Sequence, residues 1–284
     1  MRLVVRRSAA ALLAAAGCAL ALGLTGCSRS SGTAAAAVRS PAGSAYTLMQ
    51  MNLCLSGLAD CYPKVQYPAA LNEAIARIRD AGPDAVTFNE ACSGDVASIA
   101  RRTGYHWRFS TVIYYGKPLM CIRPGSRGLF GDAVLTRSAI VSSDSHAFKT
   151  QAGPEQRRFL CVDTRARVDA CTAHLASPET DEVAANGPQC AELRSLLARL
   201  ATTRTVIFGG DLNRRSACAP DGFWVHTDGS ARQDPGSQHV YGSGALRSPS
   251  AQVVPATHTD HDILLIRAAF ELPTPARRSA VPRP

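Results

Sequence analysis

Two stretches of this chain share one build: an amphipathic helix, a break, then a short apolar strand that stops on polar side chains. In "YPAALNEAIARIRDAGPD", Leu71, Ala74, Ile75 and Ile78 fall at i, i+3, i+4 and i+7, one face of a helix, and Gly82-Pro83 ends it. "DAVTFNE" follows as a strand closing on Glu90. Later, Leu193, Leu196, Leu197 and Leu200 in "AELRSLLARLA" line one helix face, and "TRTVIFGGDLN" is the strand after it, closing on Asp211 and Asn213. "YTLMQMNL", "GLFGDAVLTR", "RRFLCVDTRARV", "DACTAHLAS" and "HDILLIRAAF" read as further strands, and no internal repeat is visible. This order predicts an α/β fold, a four-layer α/β sandwich in which two packed mixed β-sheets are flanked by helices. Within it, the Gly-Gly of "FGGDLN" reads as a turn, where the backbone bends as the strand leaves its sheet.

The ends of the chain have a different character. "MRLVVRR" followed by "SAAALLAAAGCALALGL" has the basic and apolar regions of a secretory signal peptide, expected to cover residues 1–26. Leu24-Thr25-Gly26-Cys27 resembles the lipobox of bacterial lipoproteins, which makes Cys27 the expected lipidation site and puts the protein on the extracytoplasmic face of a membrane, anchored and not spanning. Residues 27–44 read as the lipidated cysteine and a flexible linker, 45–270 as the folded domain, and 271–284 as a disordered basic tail. No other stretch has the length and apolarity of a membrane span.

Ten cysteines are present, and eight remain once Cys18 and Cys27 are set aside. An even number in an exported chain points to disulfides, and without a C-x-x-C pair a zinc site is not expected. Eight cysteines allow 105 pairings. The expectation is that neighbours pair, with Cys54 to Cys61 closing a short loop and Cys161 to Cys171 crossing a hairpin.

The polar residues that end or interrupt the apolar strands form a set: Asn52, Glu90, His174, Asp211, Asn213, Asp260 and His261. Each alone is an ordinary strand cap. Together, three carboxylates, two amides and two imidazoles are what metal-assisted attack of water on a phosphate needs. Mg²⁺, or Mn²⁺ in its place, prefers oxygen ligands, for which Asn52, Glu90 and Asp260 suffice. Asp211 serves as base for the water, while Asn213, His174 and His261 stabilise the phosphoryl oxygens. Arg157 or Arg158 adds a fixed cation, with Arg158 and Asn213 taken as the phosphate contacts.

In this order, "QMNL", "PDAVTFNE", "GDAVLTR", "TAHL", "GGDLN" and "TDHDILL" resemble the motifs of the endonuclease/exonuclease/phosphatase superfamily, over about Tyr46 to Phe270. The resemblance implies that Asn52 and Glu90 lie at the metal, that Asp211 and Asn213 orient or deprotonate the water, and that Asp260 contributes near the metal. It makes His261 a contact of the scissile phosphate and His174 the second imidazole. Asp132 stands where the family often has Asn. Asn89-Glu90 replaces a common "QE", and "QHVYGSG" replaces the "IDY" strand whose Asp orients the last His, so either that role falls to Gln238 or His239 or His261 is less well oriented. His258 has no cysteine or further histidine to form a second metal site, and His106, His146 and His226 have no motif context.

The chain's formal charge is +9, and +6 without the leader's three arginines, which favours anionic partners. The expected function is therefore extracytoplasmic, metal-dependent hydrolysis of phosphodiesters in nucleic acid by a monomer. A phospholipid (sphingomyelinase-like) phosphodiesterase or phosphatase, with Phe223-Trp224 at a membrane, is the alternative within the class. A surface binding protein that keeps the fold without the chemistry is the alternative outside it.

Overall fold

The computed structural model describes residues 45–58, 61–177 and 183–270. The expected leader, Cys27, the linker and the tail lie outside them. Two six-stranded sheets form the centre. The first runs in the order β14 (Leu246–Val254), β15 (Ile263–Phe270), β1 (Ala45–Asn52), β2 (Ala85–Cys92), β6 (Phe130–Thr136) and β3 (His106–Thr111). The second runs β12 (Trp224–Thr227), β13 (Gln238–Gly242), β11 (Thr205–Asp211), β10 (Val168–Ala173), β9 (Arg158–Thr164) and β7 (Ile140–Ala147). A small third sheet joins β5 (Lys117–Pro118), β4 (Ile113–Tyr114) and β8 (Glu155–Gln156). Both large sheets are mixed: β1 is parallel to β2 and antiparallel to β15, and β10 is parallel to β11 and antiparallel to β9. Helices α1 (Ala69–Ala81) and α2 (Ser93–Thr103) cover the first sheet, and α3 (Val183–Ala201) covers the second, giving the four layers expected.

Side chains alternate between the faces of a strand, and here the alternation places the site. On the outer faces Met49, Met51, Val86 and Phe88 pack under α1 and α2, while Val206 and Phe208 pack under α3. On the inner faces Leu48, Val134, Leu160, Val162, Ala170, Ile207 and Val240 make the apolar layer between the sheets. Two residues further along the same strands the layer turns polar: Gln50 on β1, Thr87 and Asn89 on β2, Asp132 on β6, Thr172 on β10 and Gln238 on β13 are all buried. That end of the sandwich holds the site.

The glycines of "FGGDLN" are not a turn. Gly209 and Gly210 lie within β11, paired with Val240 and His239. Neither has positive φ. They are glycine because the structure leaves no room for a side chain: a Cβ on Gly209 would overlap Thr87 Oγ1 and stand 2.8 Å from Leu48 Cδ2, and one on Gly210 would overlap Ala173 O. At position 209 side chains of the opposing sheet, Thr87, Leu48 and Gln50, fill the space at the start of the polar layer. The turn comes after Asp211, at Asn213, with φ +51°.

Two helical features were not expected. α2 is short, yet Val96, Ile99 and Ala100 bury one face, and Gly94 is required because Arg127 O lies 2.8 Å from where its Cβ would be. α3 begins at or before Val183, well ahead of the leucine run, and carries Pro188 in its interior. The disulfides join Cys54 to Cys61, Cys92 to Cys121, Cys161 to Cys171 and Cys190 to Cys218, so neighbours pair throughout. Among the described residues no helix is long and apolar enough to cross a membrane.

Candidate active site

The strand ends bring the whole predicted set together. Asn52, the last residue of β1, donates from Nδ2 to Glu90 Oε1 (2.8 Å) and to Asp211 Oδ2 (3.0 Å). Asp211 Oδ1 accepts from the backbone N–H of Asn213 (3.0 Å), and Asn213 Nδ2 donates to His174 Nε2 (3.0 Å) and to Leu175 O (2.9 Å). His261 Nε2 stands 4.0 Å from both Asp211 Oδ2 and Asp260 Oδ1. Asn213, Asp260 and His261 face a cleft of about 770 Å³.

Glu90 reaches this cluster through a defect in its strand. The register of β2 against β6 slips between Phe88 and Ala91, and Glu90 has φ +55°. Regular alternation would turn Glu90 away from the inner face that Asn89 occupies. The bulge re-aims it, as bulges beside functional sites do. Asn89 itself, fully buried, knits the site from behind. Its Oδ1 accepts from Asp211 N (2.8 Å) and Gln50 Nε2 (2.8 Å), and its Nδ2 donates to Asp132 Oδ1 (2.9 Å) and Ala173 O (3.2 Å). Sequence reading noted Asn89 only as a departure from "QE"; its position on the inner face of β2 was the available signal.

The electrostatics separate the roles of these groups. Burial raises the Glu90 carboxyl to about 7, against the hydrogen bond from Asn52. For Asp211 burial pulls upward as well, but His261 and the hydrogen bonds from Asn52 and Asn213 outweigh it and hold the carboxylate below its ordinary range. His174 is driven down to about 3 by burial and by the field of Arg157, so its imidazole is neutral. With Asn213 donating to Nε2, its proton sits on Nδ1. His261 goes the other way: burial opposes its charge, yet Asp211, Asp260, Glu90 and Asp234 together raise its pKa. The charged imidazole of the pair is His261.

Arg157, not Arg158, is the arginine whose charge reaches the centre, acting on both His174 and Asp132. It is buried and paired with Glu155 at 2.9 Å. Arg158 donates to Gln156 Oε1 (2.9 Å) and Ser110 Oγ (3.3 Å) on the rim side. Asp132 lies behind Asn89, in the buried polar layer. His258 turns to Gln66 Oε1 (2.8 Å) and takes no part in the site.

A hard divalent cation fits this donor set. Asp260 Oδ1 is buried without a hydrogen-bond partner among the described residues, and Asp211, Asp260 and Glu90 all act electrostatically on His261. Glu90 and Asp260 offer carboxylate oxygens such an ion takes, whereas Asn52, expected at the metal, turns Nδ2 to Glu90 and Asp211 and uses Oδ1 to accept from Cys54 N (3.1 Å).

Residues 59–261 match the model of the Endonuclease/Exonuclease/phosphatase family. The chain belongs to this family. Its fold is similar to that of an endonuclease/exonuclease/phosphatase from Beutenbergia cavernae DSM 12333, with 16% identity over 80% of this chain and 72% of that one and a TM-score of 0.59. The human Nocturnin catalytic domain with bound sulfate anion is similar over 80% of this chain and 93% of its own, at 16% identity and a TM-score of 0.61. D. rerio TDP2 complexed with single strand DNA product is similar over 80% and 100%, at 14% identity and a TM-score of 0.56. No curated protein matches the chain in sequence.

The surroundings of His261 depart from the first of the two expectations drawn from the sequence. The expectation that Gln238 or His239 orients it is not met. Gln238 keeps the place of the replaced strand, opposite Asp211 in β13, but its Nε2 donates to Asp228 Oδ2 (3.1 Å) and Asp262 O (2.7 Å). His239 is engaged with Arg214 O (2.7 Å) and the Tyr241 hydroxyl (2.8 Å). His261 Nδ1 has no hydrogen-bond partner among the described residues. Its ring is held instead by the carboxylates around Nε2. Asp262, which the sequence shows beside the "DH" pair, accepts from Arg232 Nη2 (2.7 Å) and Ala256 N (3.0 Å) and so fixes the loop that carries both site residues.

Proposed function

We propose that this protein is an extracytoplasmic, divalent-metal-dependent phosphodiesterase that hydrolyses nucleic acid. The observation that carries the reading is the convergence of Asp211, Asn52, Glu90, Asp260 and His261 in one cluster at the floor of the cleft that Asp260 and His261 line, with Asp260 Oδ1 buried and without a hydrogen-bond partner among the described residues. Asp211, held ionised, accepts the proton of the attacking water while its other contacts fix its direction. His261, held charged, faces the phosphoryl oxygens, and Asn213 donates alongside it. Neutral His174 positions Asn213 and carries no charge to the reaction. Mg²⁺, or Mn²⁺ in its place, held by Glu90 and Asp260 with Asn52 orienting Glu90, would polarise the phosphate and offset its growing charge.

Export is supported by the four disulfides. The proposed organisation is a signal over 1–26, lipid on Cys27 as the sole membrane contact, a linker to 44, one monomeric domain over 45–270 and a basic tail. The purified domain from residue 28 onward should hydrolyse bis(p-nitrophenyl) phosphate with Mg²⁺, lose that activity in EDTA, and fall by about a thousandfold or more in Asp211→Ala. Equal rates with and without chelator reject the metal role. Phosphate binding without turnover would favour the non-catalytic alternative, which the unpartnered His261 Nδ1 motivates.

A further inference from the structure

The cleft beyond the reacting groups has a composition of its own. Its walls carry three cations, Lys64, Arg214 and Arg215, and among its described lining residues no Trp, Tyr or Phe. The cations come from opposite sides. Lys64 closes a short 3-10 turn (Tyr62–Lys64) and donates its backbone N–H to Cys61 O (2.9 Å), while Cys61 Sγ lies 3.8 Å from Glu90 Oε2. The disulfide thus ties Lys64 to the Glu90 side. Its ammonium reaches across to Gln233 Oε1 at 3.4 Å. On the other side, Asn213 at φ +51° turns the chain so that Arg214 and Arg215 follow directly behind the site. Arg214 is pinned by Asn186 Oδ1 (3.1 Å) and Ser216 Oγ (3.0 Å). Arg215 is exposed and packs its stem over Gly236, 3.3 Å from where a Cβ would stand.

We infer that Lys64 and Arg215 bind the phosphates that flank the scissile one, so that the substrate is a phosphodiester chain crossing the cleft between them. The inference rests on the phosphodiesterase reading and names its substrate class. Guanidinium and ammonium groups recognise phosphate through charge and donor geometry. A phosphocholine headgroup asks for a different environment, because quaternary ammonium is recognised by aromatic faces, and a cleft where three cations face Asp234 and Asp260 with no aromatic ring among the described lining residues does not supply it. The same lack of rings removes the stacking platform on which bases are read. Recognition through backbone phosphates alone implies little preference for base sequence.

Binding separates this inference from catalysis. In an Asp211→Ala host with Mg²⁺, the anisotropy of a fluorescent single-stranded 12-mer should report Kd against salt. Lys64→Gln and Arg215→Gln should each weaken binding about three- to tenfold at low salt, and each should lower the slope of log Kd against log salt by roughly 0.7. Thermal denaturation of both variants should match the host, since both side chains are exposed. In the Asp211-intact enzyme, the ratio of kcat/KM for the 12-mer to that for bis(p-nitrophenyl) phosphate should drop by a similar factor. Unchanged affinity and salt slope in the double variant overturn the inference, as does displacement of the oligonucleotide by sphingomyelin vesicles. Loss of all hydrolysis with oligonucleotide binding intact would overturn the catalytic reading and leave the subsite standing.

Discussion

At the scale of single residues, the site depends on carboxylates that burial pushes the same way and that their neighbours then separate. Asp211 is held ionised, whereas Asp132, 3% exposed behind Asn89, is pushed up to about 7 by burial, with Asn89 and Arg157 opposing. An acid raised in the folded state binds a proton there that the unfolded chain has released, so between pH 4 and 7 stability falls as pH rises. The penalty is absent below pH 4 and complete above pH 7. Asn at this position keeps an oxygen for Asn89 Nδ2 and has no proton to lose. Asp132→Asn is therefore expected to match the parent near pH 4 and to exceed it at pH 8, by at most about 4 kcal/mol at roughly 1.4 kcal/mol per pH unit. Urea denaturation at the two pH values measures this; the same pH slope in both proteins would sink it. Glu90 and Asp169 are raised in the same direction and stay in both proteins, so the variant flattens the profile without removing its slope.

At the scale of elements, the strands were legible because their apolar runs are continuous, and so was the order of polar residues at their ends. The seven predicted site residues lie together for that reason. What the sequence hid was geometry within the strands. Period two assigns Asn89 to the inner face and Glu90 to the outer, and nothing in "TFNE" announces the bulge that brings both to the site. The glycines of β11 were misread because Gly-Gly signals a turn locally, whereas here it answers to the opposing sheet. The edge strand β7 is mostly exposed and polar, "IVSSDSHA", and offers no apolar period to read. The glycine account is testable by contrast. Gly209→Ala drives a methyl into Thr87 Oγ1 and Leu48 Cδ2, two residues before Asp211, and should cost about 1–3 kcal/mol together with a marked fall in kcat. Gly244→Ala, at an exposed position where the new methyl would meet only Gly222 O at 3.9 Å, should leave stability within about 0.5 kcal/mol. Equal stability of the two variants in chemical denaturation would refute the close-approach explanation.

At the scale of the molecule, three of the four disulfides divide into two kinds by what they join. Cys92–Cys121 and Cys190–Cys218 close loops of 29 and 28 residues, the first tying the junction of β2 and α2 to the segment before β6, the second tying α3 to the segment after β11. Cys54–Cys61 closes only 7 residues but stands against the site: Cys54 N donates to Asn52 Oδ1 (3.1 Å), and Cys61 Sγ touches Glu90. Chain entropy favours the long loops, with loss of a 29-residue closure costing about 3.6 kcal/mol and a 7-residue closure about 2.3 kcal/mol. Geometry near the reacting groups favours the short one. The two removals should therefore dissociate. Cys92→Ala/Cys121→Ala should lose more stability and, below its melting range, keep most of its rate on bis(p-nitrophenyl) phosphate. Cys54→Ala/Cys61→Ala should lose less stability but more rate, because the loop that holds Asn52, Glu90 and Lys64 in register is freed. Denaturation midpoints and initial rates on the same preparations decide the matter: a rate that tracks stability across both variants would mean that the short bridge only staples the fold.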